Sequence, residues 1–173
     1  MADNLYPFLY WGLGNGFALE RWPSMGDEIV TGGSPRYQIY PTADKRYLAA
    51  APLEPKFWKN FCQIIGLPEV LQADTAPIDQ VKAAVGELIA ARSSDHWRQA
   101  FAGKDVCCSI VATLEEGVKG AQAAARGLFD RQVEAGGKTI PALPTPISPQ
   151  FRSAQACAGS PRLNETQDPL LLI

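Results

Sequence analysis

The strongest helical rhythm in the chain runs from 55 to 65. Phe57, Trp58, Phe61, Cys62 and Ile65 recur at the 3.6-residue period, while Lys56, Lys59, Asn60 and Gln63 fall on the other side. Pro55 suits the first helical position and Gly66 the stop, so a helix over 55–65 is expected. A second helix, at about 77–92, would bury Val81, Val85, Leu88 and Ile89. A third, over 95–102, would be capped by Ser94 and would pair Trp97 with Phe101 at i,i+4. Upstream, Tyr37–Tyr40 and Arg46–Ala51 flank Pro41-Thr42-Ala43-Asp44-Lys45, the pattern of a β-hairpin. Downstream, Asp105–Val111 reads as a strand. Thr113-Leu114-Glu115-Glu116 reads as a capping box opening another helix. Gly127 reads as a helix C-cap, with Phe129 packing back on it.

The flanks lack such rhythm. Residues 1–36 are rich in aromatics and glycine (Tyr6, Phe8, Tyr10, Trp11; Gly12, Gly14, Gly16) and read as a short helix followed by a long loop. From about Gly136, prolines recur at 141, 144, 146, 149, 161 and 169, which excludes a helical or sheet core and predicts an extended tail lying on something else. The expected organisation is therefore a leading segment 1–36, a small domain 37–135 and a proline-rich return segment 136–173. The fold class is α+β, with helices outnumbering strands.

Composition bounds the function. The 173 residues are 46% hydrophobic and 20% charged, enough for one ordinary globular domain. Sixteen Lys and Arg against eighteen Asp and Glu leave no basic surplus for a phosphate backbone, so nucleic acid is not an expected partner. No apolar run approaches the roughly 20 residues that span a bilayer, and the first residues lack a signal-peptide pattern. A cytoplasmic protein with no membrane partner is expected. The cysteines, Cys62, Cys107, Cys108 and Cys157, lack C-x-x-C spacing, and His96 is the single histidine, so no metal site is expected. Cys107 and Cys108 read as buried or half-buried thiols in a strand, and His96 as a surface residue. With one imidazole, any acid-base chemistry must come from carboxylates or from outside this chain. The sequon Asn164-Glu165-Thr166 carries meaning only in a secreted protein.

Two local features invite a functional reading. Gly12-Leu13-Gly14-Asn15-Gly16 suggests a phosphate loop, but the third glycine of G-x-G-x-x-G would fall at Phe17 and no β-branched strand precedes it. A flexible connector is the simpler expectation. In Leu53-Glu54-Pro55-Lys56-Phe57-Trp58, Glu54 stands where a strand ends and a helix begins, within reach of unsatisfied N–H groups and the positive end of the helix dipole. Helix capping and catalysis are both open to it.

Several segments, in order, carry a resemblance. Gly32-Gly33-Ser34-Pro35-Arg36-Tyr37-Gln38-Ile39-Tyr40-Pro41-Thr42-Ala43-Asp44, Leu53-Glu54-Pro55-Lys56-Phe57-Trp58, and Phe61-Cys62-Gln63-Ile64-Ile65-Gly66-Leu67-Pro68 are followed by Trp97–Ala102, Thr113–Glu116, Ala125–Phe129 and Pro144–Ile147. Together they resemble the family III CoA-transferases (the CaiB/BaiF family), which include the α-methylacyl-CoA racemases. Coverage runs from about residue 5 to 150. The resemblance implies the small α+β domain of that fold, with flanking pieces of a large Rossmann-like domain. It also implies that only the C-terminal half of the family's length is present here. The transferases' nucleophilic aspartate and the racemases' histidine and aspartate belong to the other half and have no matching position.

By the same resemblance, Glu54 corresponds to the glutamate that partners the racemases' catalytic histidine, and Tyr37 and Leu53 to positions lining the acyl pocket. Implied, too, are an acyl-CoA as substrate (coenzyme A as a thioester, with no covalently bound cofactor), the N-terminal half as partner, and an interlocked homodimer. The chain alone would be inactive. A stand-alone binding or interaction module derived from the small domain is the alternative. This sequence departs from the family at the hairpin tip, where Lys45 replaces the glycine of Asp-Gly-Arg and puts a tight turn in doubt. It departs also in lacking a histidine near Gln122, and over Glu165–Ile173.

Overall fold

The computed structural model describes residues 2–142, 148–151 and 157–160. They divide into two compact units, before and after the boundary between Val111 and Ala112. The fold is mixed α+β, as the periodicities predict.

In the first unit, helix α1 (Ala2–Leu5), a 3-10 turn (Tyr6–Leu9) and helix α2 (Tyr10–Leu19) lead to a loop, then to strands β1 (Gln38–Pro41) and β2 (Tyr47–Ala50). Helices α3 (Pro55–Ile65), α4 (Ile78–Ala90) and α5 (Ser94–Phe101) follow, then strand β3 (Cys108–Ile110). The sheet has the order β1-β2-β3, all antiparallel, with Tyr40 opposite Leu48 and Leu48 opposite Ile110. On β2, Leu48 and Ala50 point into the core and Tyr47 out of it, the alternation a half-buried strand requires.

The helices close over that face. Trp58, Phe61, Cys62 and Ile65 of α3, Val81, Val85 and Ile89 of α4, and Trp97 and Phe101 of α5 are all buried. Leu88 is only partly so. The rings of Trp58, Phe61, Phe101 and Trp97 form a stacked run with centroids 5.4–5.9 Å apart. Each such side chain removed from water contributes about 1.5–3 kcal/mol. Buried polar tips are satisfied: the Trp97 indole N–H donates to the Ile89 carbonyl at 2.9 Å, and the Tyr40 hydroxyl to the Pro35 carbonyl at 2.8 Å. Helix α3 has the expected bounds. It stops at Gly66 (φ 76°), whose N–H, with that of Leu67, donates to the Cys62 carbonyl at 3.0 Å.

Four expectations for this unit are corrected. First, the glycine run is not a flexible connector but lies inside α2. A Cβ at Gly16 would sit 2.4 Å from the Trp22 ring, so the missing side chain lets Trp22 fold back onto the helix. Second, the cap of α5 is Ser93, whose side chain accepts the His96 N–H at 3.3 Å. Ser94 is buried and bonded instead to Asp44. Third, the hairpin tip closes tightly despite Lys45, which adopts φ 60°. The Thr42 and Lys45 backbones, and Asp44 accepting from Thr42 Oγ1 at 2.6 Å and from Ser94, hold it there. Fourth, the strand expected over 105–111 is reduced to 108–110 because Cys107 takes φ 47°; Cys107 is exposed and only Cys108 is half-buried. His96 is exposed, its ring edge-on to Trp97.

The second unit contains helices α6 (Leu114–Val118) and α7 (Ala121–Ala125), strands β4 (Gln132–Ala135), β5 (Lys138–Pro141) and β6 (Cys157–Gly159), and a 3-10 turn (Pro149–Phe151). The capping box forms: Thr113 Oγ1 accepts the Glu116 N–H at 3.2 Å, and Glu116 Oε2 accepts the Thr113 N–H at 2.7 Å. Gly127 (φ 56°) follows α7, with Phe129 half-buried. β4 pairs antiparallel with β5 and parallel with β6. Residues 138–141 are thus a strand and not the start of an extended tail. Gly136 and Gly137 both take positive φ (57° and 74°), the combination a two-residue hairpin turn needs, so the hairpin crosses the 135/136 boundary drawn from composition. The expected return segment Pro144–Ile147, the prolines at 161 and 169 and the sequon lie outside the described residues. No described helix is long and apolar enough to cross a membrane.

Candidate functional site

The junction between β2 and α3 is built by the backbone. The Ala51 N–H donates to the Cys107 carbonyl at 2.9 Å, Pro52 is fully buried, and the Leu53 N–H turns back to the Ala51 carbonyl at 2.8 Å. Glu54 is extended (φ −74°, ψ 146°), as a residue before proline should be, and its carbonyl accepts the Trp58 N–H at 3.0 Å. Glu54 is therefore the N-cap residue by position, yet its carboxylate makes no capping hydrogen bond and is exposed. Of the two readings open to it, side-chain capping is not what this structure shows. The backbone of Glu54 is held in place and its carboxylate is left available.

Next to this junction lies an open cleft of about 490 Å³. Leu53, Trp58 and Val81 supply apolar wall and Arg36 the central charge. Two guanidiniums (Arg21, Arg36) face three carboxylates (Asp27, Glu28, Asp74) around it. The Gly-Gly of the 32–37 motif shapes the approach to this wall: Gly32 takes φ 101°, and a Cβ on Gly33 would meet the Asp27 carbonyl at 2.4 Å. The Gly33 N–H donates to the Glu28 carbonyl at 2.9 Å, closing the turn.

Arg36 is fastened from three directions. Nη1 donates to the Leu53 carbonyl at 3.5 Å, Nη2 pairs with Asp74, and the guanidinium carbon lies 5.0 Å from the Trp58 ring centroid. Trp58 is itself anchored by its indole N–H on the Gln72 carbonyl at 3.1 Å. Glu28 is nearly buried. Its Oε2 accepts from Asn15 Nδ2 at 3.1 Å, while Oε1 has Arg21 Nη2 at 3.4 Å without hydrogen-bond geometry and has no hydrogen-bond partner among the described residues. In the core, burial pushes the Cys62 thiol up to about 12, outweighing the opposite pull of Arg36, so Cys62 is not a nucleophile. Burial also raises the Tyr40 phenol above its ordinary value, with a smaller contribution from Cys62.

Of the three residues singled out from sequence, Leu53 lines this cleft; Tyr37 and Glu54 lie outside its walls. Tyr37 sits in a tight turn, its N–H donating to the Ser34 carbonyl at 3.2 Å, with its side chain partly exposed. Sequence reasoning passed over Arg36 and Asp74. Arg36 stood in a quoted motif, where a charge between Pro35 and Tyr37 was the available signal; Asp74, in a loop without pattern, offered none.

Known proteins resemble this chain at both levels. The sequence matches CoA-transferase family III over residues 2–167. It is 31% identical to human (Homo sapiens) alpha-methylacyl-CoA racemase over 135 residues, 73% of this chain and 35% of that protein. The mouse (Mus musculus) alpha-methylacyl-CoA racemase is 33% identical over 94 residues, 53% of this chain and 25% of that protein. The chain thus spans about a third of the human relative's length. Two crystal structures of Rv3272 from Mycobacterium tuberculosis, one of an aspartate-to-alanine mutant and one orthorhombic, superpose with TM-scores of 0.57. They share 20% and 21% identity, cover 72% and 69% of this chain and 36% of theirs, and so speak for the fold alone. The family match spans both compact units and includes the Gly-Gly turn, the Leu-Glu-Pro junction and the capping box, and on that extent the chain belongs to CoA-transferase family III.

Proposed function

We propose that this chain acts as the C-terminal portion of an acyl-CoA transferase or α-methylacyl-CoA racemase, contributing the small domain and its flanks to an enzyme completed by an N-terminal half. The observation that carries this reading is the Leu53-Glu54-Pro55 junction: a backbone fixed by hydrogen bonds on both sides, bearing a carboxylate that is exposed and uncommitted to its helix, beside a cleft whose wall begins at Leu53. In that reading Glu54 receives the N–H of a histidine from the other half. A carboxylate there orients the imidazole and favours its protonated form. Tyr37 and Leu53 border the acyl group.

The chemistry divides by branch. In transfer, an aspartate of the other half attacks the thioester carbonyl and expels the CoA thiolate, giving a mixed anhydride. The thiolate then attacks the aspartyl carbonyl, releasing the free acid and leaving an enzyme-CoA thioester that an acceptor acid reverses. In racemisation, the α-proton leaves one face of the thioester and a proton returns to the other through an enolate. Either way the substrate is an acyl-CoA, no covalently held cofactor is needed, and the chain alone is inactive. Two copies of the completed enzyme interlock as a cytoplasmic homodimer.

Co-expression with a family N-terminal half, followed by assays of CoA exchange between acids and of α-proton exchange in D2O, tests the reading. One activity should appear and be lost in Glu54→Ala. No activity in a stably assembled pair, or a fully active Glu54→Ala enzyme, counts against it. The second reading, a stand-alone interaction module, draws on the exposed aromatics of the leading segment, Phe8, Tyr10, Trp11 and Phe17, which suit a partner chain. Native mass separates the two: a stable monomer without affinity for CoA favours the module.

A further inference from the structure

We infer that Arg36 is a recognition point for a ligand carboxylate in the cleft beside Leu53, so that the cleft takes a carboxylate borne on a short apolar chain. This deepens the acyl-CoA reading, on which it rests for its biological meaning. The chemistry of the cleft does not depend on that reading. Arginine carries five N–H donors in a planar fork that matches a carboxylate. Among the described residues Arg36 commits only two, one weakly to the Leu53 carbonyl at 3.5 Å and one to Asp74. The guanidinium is held, because its carbon lies 5.0 Å from the Trp58 centroid and its side chain is 20% exposed. Among the described residues Asp74 is held by that pair alone, and its side chain is 84% exposed. Such an ion pair contributes little, so a carboxylate entering the cleft can take the place of Asp74 on a guanidinium already in position.

The surroundings decide which anion fits. Ile29, Leu53, Leu71, Ile78 and Val81 give the cleft apolar walls suited to a hydrocarbon body. Asp27 and Glu28 face the same space, and Glu28, at 6% exposure, keeps an oxygen without a hydrogen bond. A phosphate would bring two negative charges on one centre toward these carboxylates, whereas a carboxylate in the place of Asp74 brings one charge to the guanidinium and leaves the charge around it unchanged. The carboxylate has two sources in the proposed enzyme: the acceptor acid, or the far end of a dicarboxylyl thioester.

The test begins on the chain as it is. Glutarate, butyrate and inorganic phosphate are titrated at constant ionic strength while the Trp58 indole and Arg36 Nε N–H signals are followed by NMR. Saturable shifts of both signals with the carboxylates, but not with phosphate, are expected. Arg36→Lys should weaken binding and Arg36→Gln abolish it, with the signals of β1–β3 unmoved. Asp74→Asn, which removes the competing anion, should tighten glutarate binding about three- to tenfold. A purely structural pair would predict the opposite, so weaker binding in Asp74→Asn, stronger binding of phosphate, or no response to glutarate overturns the proposal. In the completed enzyme, Arg36→Gln should raise KM for the acceptor acid or for glutaryl-CoA relative to butyryl-CoA, which identifies the source. An active enzyme with neither KM changed also overturns it. Carboxylate binding to the chain with no activity in the completed pair would instead sink the acyl-CoA reading and leave Arg36 as a carboxylate site.

Discussion

Asp44, at the tip of the β1–β2 hairpin, accepts two hydrogen bonds from Ser94 at the start of α5, from the amide at 2.9 Å and from the hydroxyl at 2.7 Å. The amide is one of those a helix N-terminus leaves unpaired, so the hairpin tip partners the helix from 50 residues away. The bonds from Thr42 and Ser94 outweigh the small desolvation and hold the Asp44 carboxyl well below the usual carboxylate range. A carboxylate with a depressed folded pKa stabilises the protein above its unfolded pKa of about 3.9, and that contribution is lost as pH falls through the folded value. Asp44→Asn should therefore lower Tm most at neutral pH. The gap from the parent protein should narrow below about pH 4. A gap independent of pH in thermal melts would show that the charge of Asp44 does not matter.

Lys45 occupies φ 60°, which costs a residue with a Cβ about 1 kcal/mol relative to glycine. Lys45→Gly should stabilise the first unit by up to that amount. Denaturant titration reads the gain, and an unchanged midpoint would mean that the greater freedom of glycine in the unfolded chain cancels it.

Gly16 has no room for a side chain under Trp22. Gly16→Ala should displace Trp22 and its loop at a cost of about 1–3 kcal/mol, visible as greater solvent exposure in Trp fluorescence quenching. The distant aromatic stack of Phe61 and Phe101 should keep its protection in hydrogen exchange.

Thiol reactivity should split the cysteines. Burial pushes both Cys62 and Cys108 up to about 12, with Cys107 adding a smaller effect on Cys108, whereas Cys107 and Cys157 are exposed. Iodoacetamide at pH 8, read by mass spectrometry, should modify Cys107 and Cys157 at least about tenfold faster. Equal rates would contradict the packing around Cys62.

Glu54→Ala should leave stability within about 0.5 kcal/mol, since an exposed side chain without a cap bond is removed. A loss near the ~1 kcal/mol typical of a side-chain cap would show that Glu54 caps α3 in solution.

Much of the small domain was legible locally. Helix α3 could be bounded because its apolar period, Pro55 and Gly66 agree, and the Thr113–Glu116 box because both its bonds lie within one helical turn. The glycine run misled because propensity disfavours a helix that a distant contact, Trp22 on Gly16, permits. The β4–β5 hairpin carried a signal, Gly136-Gly137 between two alternating runs, that the prolines downstream obscured.

By itself the sequence determined the periodic elements, their caps and the order of motifs that mark the family, all of which are written in residues a few positions apart. Tertiary structure alone decided that Glu54 is a cap in backbone only, that Ser94 serves Asp44, and that Arg36 meets Leu53, Trp58 and Asp74 around one cleft. The last two are contacts across 17 to 50 residues. Local spacing cannot encode them, because which distant side chains share a site is set by how the sheet and helices pack and not by the rhythm that forms each element.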